Sequence, residues 1–278
     1  MFKGRTLFIA TKHKKEQVIA PIFEKEYGVM CYTSEIFDTD LLGTFSGEIE
    51  RKEDALTTLR NKCIGASIAT NCDLVLASEG SFGPHPSLFF ANADEELIML
   101  KDFKNDFEIV AREISLETNF NAKLINTESE LLAFAKQVYF PSHGIILRPA
   151  EKEYSKIFKG IESESLLLQY FRDLKKEFFS VYAETDMRAM FNPLRMNVIE
   201  KATQKLVEII NQLCPMCSTP GFDIVLSQAG LPCENCSIPT RSTLNHVYQC
   251  KKCFHKEIKF YPRGIQFEDP MYCDNCNP

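Results

Sequence analysis

The last 65 residues of this 278-residue chain hold eight cysteines in four Cys-x-x-Cys pairs: Cys214/Cys217, Cys233/Cys236, Cys250/Cys253 and Cys273/Cys276. Two thiolates three positions apart on a tight turn point at one ion. Two such turns complete a tetrahedral sulfur site of the kind that holds zinc. Gaps of 15, 13 and 19 residues separate successive pairs, which is ordinary spacing for zinc ribbons. The expectation is two structural zinc ions, each closing short β-hairpins that have too little core to fold unaided. Two pairings are open. In the sequential one, Cys214, Cys217, Cys233 and Cys236 share one ion and Cys250, Cys253, Cys273 and Cys276 the other. In the nested one, the two middle pairs share an ion and the two outer pairs share the second. The sequential pairing is preferred. With eight thiolates available, His246 and His255 are expected at the surface rather than as ligands.

Compartment decides between metal and disulfides. No segment reaches the ~18 apolar residues of a membrane span. The opening Met1-Phe2-Lys3-Gly4-Arg5 leads into a short apolar run without a signal-peptide cleavage pattern. A cytoplasmic protein with no membrane contact is expected, and its thiols stay reduced. Cys31, Cys63 and Cys72 lack paired spacing and read as small buried hydrophobes. The net charge of −6 lies wholly in residues 1–213, since the tail has six basic and six acidic residues. Each zinc tetrathiolate adds about −2, so a general nucleic-acid footprint is not expected. One exception is local. Lys251, Lys252, Lys256, Lys259 and Arg263 interleave with Tyr248, Phe254, Phe260 and Tyr261, a pattern that suits either base stacking or a strand with one packed face.

The rest of the chain reads as α/β: a mixed sheet with flanking helices over residues 1–205, followed by the double ribbon over 206–278. Thr6–Thr11, Val29–Thr33 and Asp73–Ser78 are expected strands, and Val18–Phe23 and Lys52–Ala69 lie in expected helices. Residues 38–51, with Gly43, Ser46 and Gly47, are loop-like. Glu79–Pro86 is expected to be a turn. Glu95–Lys101 and Phe107–Ile114 read as an antiparallel strand pair. Glu128–Val138 and Leu166–Tyr182 read as helices, and His143–Arg148 as a strand. Asn192-Pro193 opens the longest helix, an N-cap followed by a favoured first residue.

Ala10-Thr11-Lys12-His13-Lys14-Lys15-Glu16, Gly43-Thr44-Phe45, a helix with Arg60 and Lys62, and Ser78-Glu79-Gly80-Ser81 follow one another in an order that resembles inosine triphosphate pyrophosphatases over residues 5–100. That resemblance implies a grip on a triphosphate and on Mg2+, with Ser78-Glu79 standing where that family has paired aspartates. The whole chain resembles an uncharacterised bacterial family that joins such an α/β domain to a pair of zinc ribbons. The residues that carry this are Ala10-Thr11-Lys12-His13, Ser78 to Pro86, Glu184-Thr185-Asp186-Met187-Arg188, Asn192-Pro193 with Arg195-Met196, and the four Cys-x-x-Cys pairs.

Residue chemistry adds its own candidates. Ligands bind at the carboxyl ends of strands in open α/β sheets. Thr11, Lys12 and Lys14 follow the first strand, and Glu79 and Ser81 follow the third. Arg188 and Arg195 are further phosphate ligands, while Glu184 and Asp186 supply a base or metal ligand. His85 is a further candidate after the third strand, and His13 and His143 are the weakest. The reading is a metal-assisted hydrolase of a nucleotide or related phosphorylated ligand, with Glu79, Asp186 and Glu184 as catalytic carboxylates and Mg2+ as a candidate cofactor. The alternative is a non-catalytic sensor or adaptor whose ribbons bind protein or nucleic acid.

Overall fold

A computed structural model describes residues 1–34, 36, 53–88 and 90–278 of the chain. Residues 38–51, expected to be loop-like and including Gly43-Thr44-Phe45, lie outside the described residues. The chain divides into two compact units, Met1–Leu206 and Val207–Pro278.

The first unit is mixed α/β and contains two sheets. One has the order β2-β1-β3-β4-β5, built from Thr6–Ala10 (β1), Met30–Tyr32 (β2), Leu74–Pro84 (β3), Asn92–Asp102 (β4) and Phe107–Ser115 (β5). β2 and β3 flank β1 in parallel, while β4 and β5 run antiparallel. Helix α1 (Glu16–Tyr27) stops where Gly28 turns left-handed at φ 61°, a conformation glycine adopts without a Cβ penalty. Helix α2 (Ala55–Thr70) starts at Asp54, whose carboxylate accepts the N–H groups of Leu56 and Thr57. Leu59, Cys63 and Ala66 of α2 pack with Phe8, Val75, Ala77, Cys72 and Met99 on one face of the sheet. Cys63 and Cys72 are thus core residues. Alternation puts Leu7, Ile9, Leu74, Leu76, Ile98 and Leu100 on the other face, and all are buried.

β3 differs from the sequence expectation. Residues 79–84 continue the strand instead of turning, paired residue for residue with β4 from Leu74↔Asp102 to Pro84↔Asn92. The glycines at 80 and 83 suggested a turn, but ladder pairing overrides that local preference. The turn comes later, where His85 Nδ1 accepts the N–H groups of Ser87 and Leu88.

The second sheet, β6-β9-β7-β8, is antiparallel throughout. Its strands are Ala122–Ile125 (β6), Ile145–Arg148 (β7), Phe158–Ile161 (β8) and Val181–Thr185 (β9). Helices α3 (Glu128–Gln137) and α4 (Glu164–Lys175) cover one face. α4 buries Leu167, Phe171 and Leu174, the 4-then-3 spacing of a helical stripe. The expected helix 166–182 is shorter than its apolar pattern, because Val181 and Tyr182 belong to β9. Helix α5 (Pro193–Asn211) follows, with Asn192 at its start.

The second unit is a three-stranded antiparallel sheet, β10-β11-β12, of Asp223–Ala229, Thr243–Gln249 and Lys256–Phe260. No described helix is long and apolar enough to cross a membrane.

Candidate functional site

The four Cys-x-x-Cys turns meet in two tetrads, Cys214/Cys217/Cys250/Cys253 and Cys233/Cys236/Cys273/Cys276, each with its sulfurs within 4.8 Å of one another. Each tetrad can hold a metal ion. The closest sulfurs are 3.6 Å apart in the first (Cys214–Cys253 and Cys217–Cys250) and 3.6 Å apart in the second (Cys236–Cys273). A disulfide needs about 2.0 Å, so these are clustered thiols. The pairing is interleaved, which corrects both the sequential and the nested expectation. The sheet dictates it. β10 and β11 pair with Asp223 opposite Gln249, so the turn before β10 meets the turn after β11. The second turn lies between β10 and β11, at the other end of the sheet. There it meets the fourth, held by the Cys233↔Glu268 bridge and by Glu234 N–H donating to Glu268 O at 3.0 Å.

Three of the turns share one construction. Ser218, Ser237 and Phe254, each directly after the second cysteine, are left-handed at φ 54–60°. Their N–H groups return to the carbonyls of Cys214, Cys233 and Cys250. The first cysteine of every turn is buried. Phe222 packs on Cys214 and Cys250 and stacks on His255 at 5.9 Å. Neither His255 nor His246 joins a tetrad.

A different chemistry lies beyond the carboxyl end of β1. Ser78, Gly80 and Phe82 on β3 share one face with Ile98, Glu96 and Asp94 on β4. Lys15, at the start of α1, is buried there and donates to Ser78 Oγ at 2.9 Å, with Glu96 Oε2 3.9 Å away. Arg195 of α5, 0% exposed, donates from Nε to Glu96 Oε1 at 2.6 Å. Gly80 makes room for this pair: a Cβ there would collide with the Glu96 carboxylate and the Arg195 guanidinium. On the α2 face, Lys62 Nζ is 2.6 Å from Glu79 Oε1. Two buried carboxylate oxygens, Asp94 Oδ1 and Glu96 Oε2, have no hydrogen-bond partner among the described residues.

Burial sets the titration of this cluster. It pushes Asp94 up to about 8, reinforced by Glu96 and opposed by Arg195 and Lys15. It pulls Lys15 down to about 8, with Glu96 working the other way. His13 is lowered to about 3 by burial and then by Lys15, Arg195, Arg188 and Lys62. The imidazole is therefore neutral at physiological pH, beside several cations.

The expected site residues separate. Lys12 and Lys14 are exposed, Lys14 at a left-handed φ of 59°, and the buried lysine of this loop is Lys15. Thr11 is half-buried, with its Oγ1 accepting the His13 N–H at 3.2 Å, and Ser81 is exposed. Glu79 is buried on the strand. Asp186 is an anchor: its two oxygens accept the Arg188 N–H, the Arg188 guanidinium and the Gly160 N–H at 2.6–3.1 Å. Glu184 belongs to the second sheet and pairs with Arg148 at 2.8 Å. Arg60 pairs with Glu108. His143 is buried, its Nε2 3.4 Å from the Leu194 N–H that it accepts.

Asp94 and Glu96 were not singled out from the sequence, yet a signal is there. They fall in period-two phase with Ile98 and Leu100, which puts two carboxylates on a buried strand face.

No curated protein matches the chain significantly. A family profile of unknown function matches residues 62–278, which take in β3 through β12, the cluster residues Glu79, Asp94, Glu96 and Arg195, and both tetrads. The chain therefore belongs to the family described as Domain of unknown function (DUF6671).

Proposed function

We propose that the first unit is a metal-assisted hydrolase of a phosphorylated ligand and that the second is a structural two-zinc module. The observation that carries the hydrolase reading is the buried cluster of Lys15, Arg195, Asp94 and Glu96 near the carboxyl end of β1, with the buried Lys62–Glu79 pair on the α2 face. Burying so many ionisable groups is costly, and strongly shifted groups gather at functional sites. Asp94 Oδ1 and Glu96 Oε2 have no hydrogen-bond partner among the described residues and lie on one strand face, and two carboxylate oxygens there suit a hard cation such as Mg2+. Bound there, Mg2+ would polarise a phosphoryl oxygen. Lys15 and Lys62 bring positive charge to the ligand's phosphate, each steadied by a partner, Ser78 and Glu79 respectively. The catalytic carboxylates in this reading are Asp94 and Glu96, while Glu79 orients Lys62.

Zinc suits the tetrads because four thiolates at about 2.3 Å from one ion place their sulfurs about 3.8 Å apart, close to the spacing seen. Every position holds a thiolate, so the ions are structural.

The direct test is a thermal-shift titration with tripolyphosphate, with and without Mg2+. Stabilisation that needs Mg2+ and is lost in Lys15→Met supports the reading. No shift for the wild type removes it.

A second reading has its own support. Leu226, Ile258 and Phe260 on one face of the ribbon sheet are exposed, which favours a protein-docking role for that unit. The six basic and six acidic residues of the tail from Cys214 cancel before metal, which disfavours nucleic acid.

A further inference from the structure

The face of the second sheet away from α3 and α4 carries an ion pair between buried Arg148 and half-buried Glu184 that the hydrolase reading does not use. Arg148 ends β7 and stands opposite Tyr182 on β9, with Glu184 two residues further along β9 on the same face. Leu147 and Ala183 point the other way, into the core. Tyr154, carried by loop 149–157, covers the guanidinium. The Arg148 guanidinium carbon lies 4.9 Å from the Tyr154 ring centre and 5.2 Å from that of Tyr182. Arg148 is 5% exposed. Its Nη2 donates to Glu184 Oε2 at 2.8 Å. Its Nε and Nη1, and Glu184 Oε1, are buried with no hydrogen-bond partner among the described residues.

Three unpaired polar atoms on one charged pair are not what stability alone selects, because each unmade bond leaves a desolvation cost uncompensated. The unmet groups are complementary: two donors on the arginine and one acceptor on the glutamate. We propose that Arg148 and Glu184 form a binding site for a small carboxylate with an N–H or O–H donor on the neighbouring carbon, the class of α-amino and α-hydroxy acids. The tyrosine rings lie over the guanidinium, and a planar carboxylate meets a guanidinium edge in plane. The ligand's donor reaches Glu184 Oε1. Burial raises the Glu184 carboxyl above its usual range, and a donor there offsets that cost. Tyr182, fixed on β9, holds the guanidinium by cation–π contact when the loop moves. Tyr154 is the loop-borne part of the cover, and it swings aside to admit the ligand.

Calorimetry on the full-length metal-loaded protein tests this with glycine, L-lactate, acetate and inorganic phosphate as probes. Saturable binding of glycine or L-lactate is expected, with acetate and phosphate at least tenfold weaker. Arg148→Lys is expected to lose at least tenfold in affinity, and Glu184→Gln to bring the better probe down to the level of acetate. Tyr154→Ala, a loop substitution that spares the sheet, is expected to weaken binding and serves if Arg148→Lys does not fold. Absence of saturable binding by both glycine and L-lactate would mean that water alone fills the cluster, and overturns the proposal. So does phosphate binding more tightly than either, or wild-type affinity in Tyr154→Ala.

Discussion

Asp94 is the residue whose environment and sequence disagree most. A carboxyl pushed up to about 8 by burial and by Glu96 binds a proton in the folded chain that the unfolded chain has already lost near pH 4. The sign follows from linkage. Between about pH 4 and pH 8 the folded state holds more protons, so stability falls as pH rises through that window and levels off above it. Asp94→Asn removes the ionisation. Its Tm is expected to exceed that of the wild type at pH 8 and to match it at pH 4, by scanning calorimetry without divalent cations. A wild-type pH profile in the variant would show that Asp94 ionises freely. Gly80 is the complementary case. A Cβ there displaces the Glu96–Arg195 pair, and overpacking of this kind costs about 1–3 kcal/mol. Gly80→Ala is expected to lower the urea midpoint accordingly. An unchanged midpoint would mean that the pair shifts without cost.

The tetrads show what elements add to residues. Spacing identifies eight thiolates but not their partners, because every combination closes loops of plausible length. The antiparallel register of β10 and β11 settles it, by carrying alternate turns to opposite ends of the sheet. The interleaved pairing predicts that Cys214→Ser/Cys250→Ser disables one site and leaves the other, so native mass spectrometry should find one metal ion per chain. Sequential or nested pairing would disable both. Legibility elsewhere follows the same logic. α1, α2, β1, β4 and β5 were readable because caps and apolar period agree locally, as with Asp54 before α2 and Gly28 after α1. β3 past Ser78 and β9 were not, because glycine-rich or helix-like stretches are held extended by partner strands remote in sequence. Among candidate site residues, Lys12 and Lys14 looked equivalent to Lys15. Only the turn at the start of α1, with Lys14 left-handed, decides which one enters the sheet. Asp186 was conspicuous as a carboxylate beside Arg188, and that neighbour is what ties it up.

At the scale of the whole molecule, each unit has its own chemistry, soft thiolates in one and hard oxygen and ammonium groups in the other. Metal affinities should separate accordingly. A mild chelator that strips Mg2+ is expected to abolish turnover of a phosphorylated substrate while two zinc ions per chain remain by elemental analysis. Loss of zinc in step with turnover would move the chemistry to the tetrads. The hydrolase reading itself stands or falls with Asp94, since the substitution expected to stabilise the fold at pH 8 should also disable the site, the trade-off seen where function holds strain. The decisive measurement is phosphate or pyrophosphate release from a panel of phosphorylated compounds with Mg2+ at pH 8, wild type against Asp94→Asn. Turnover by the wild type with at least a hundredfold loss in the better-folded variant is the expected result. No turnover of any compound, or equal turnover by both proteins, contradicts it.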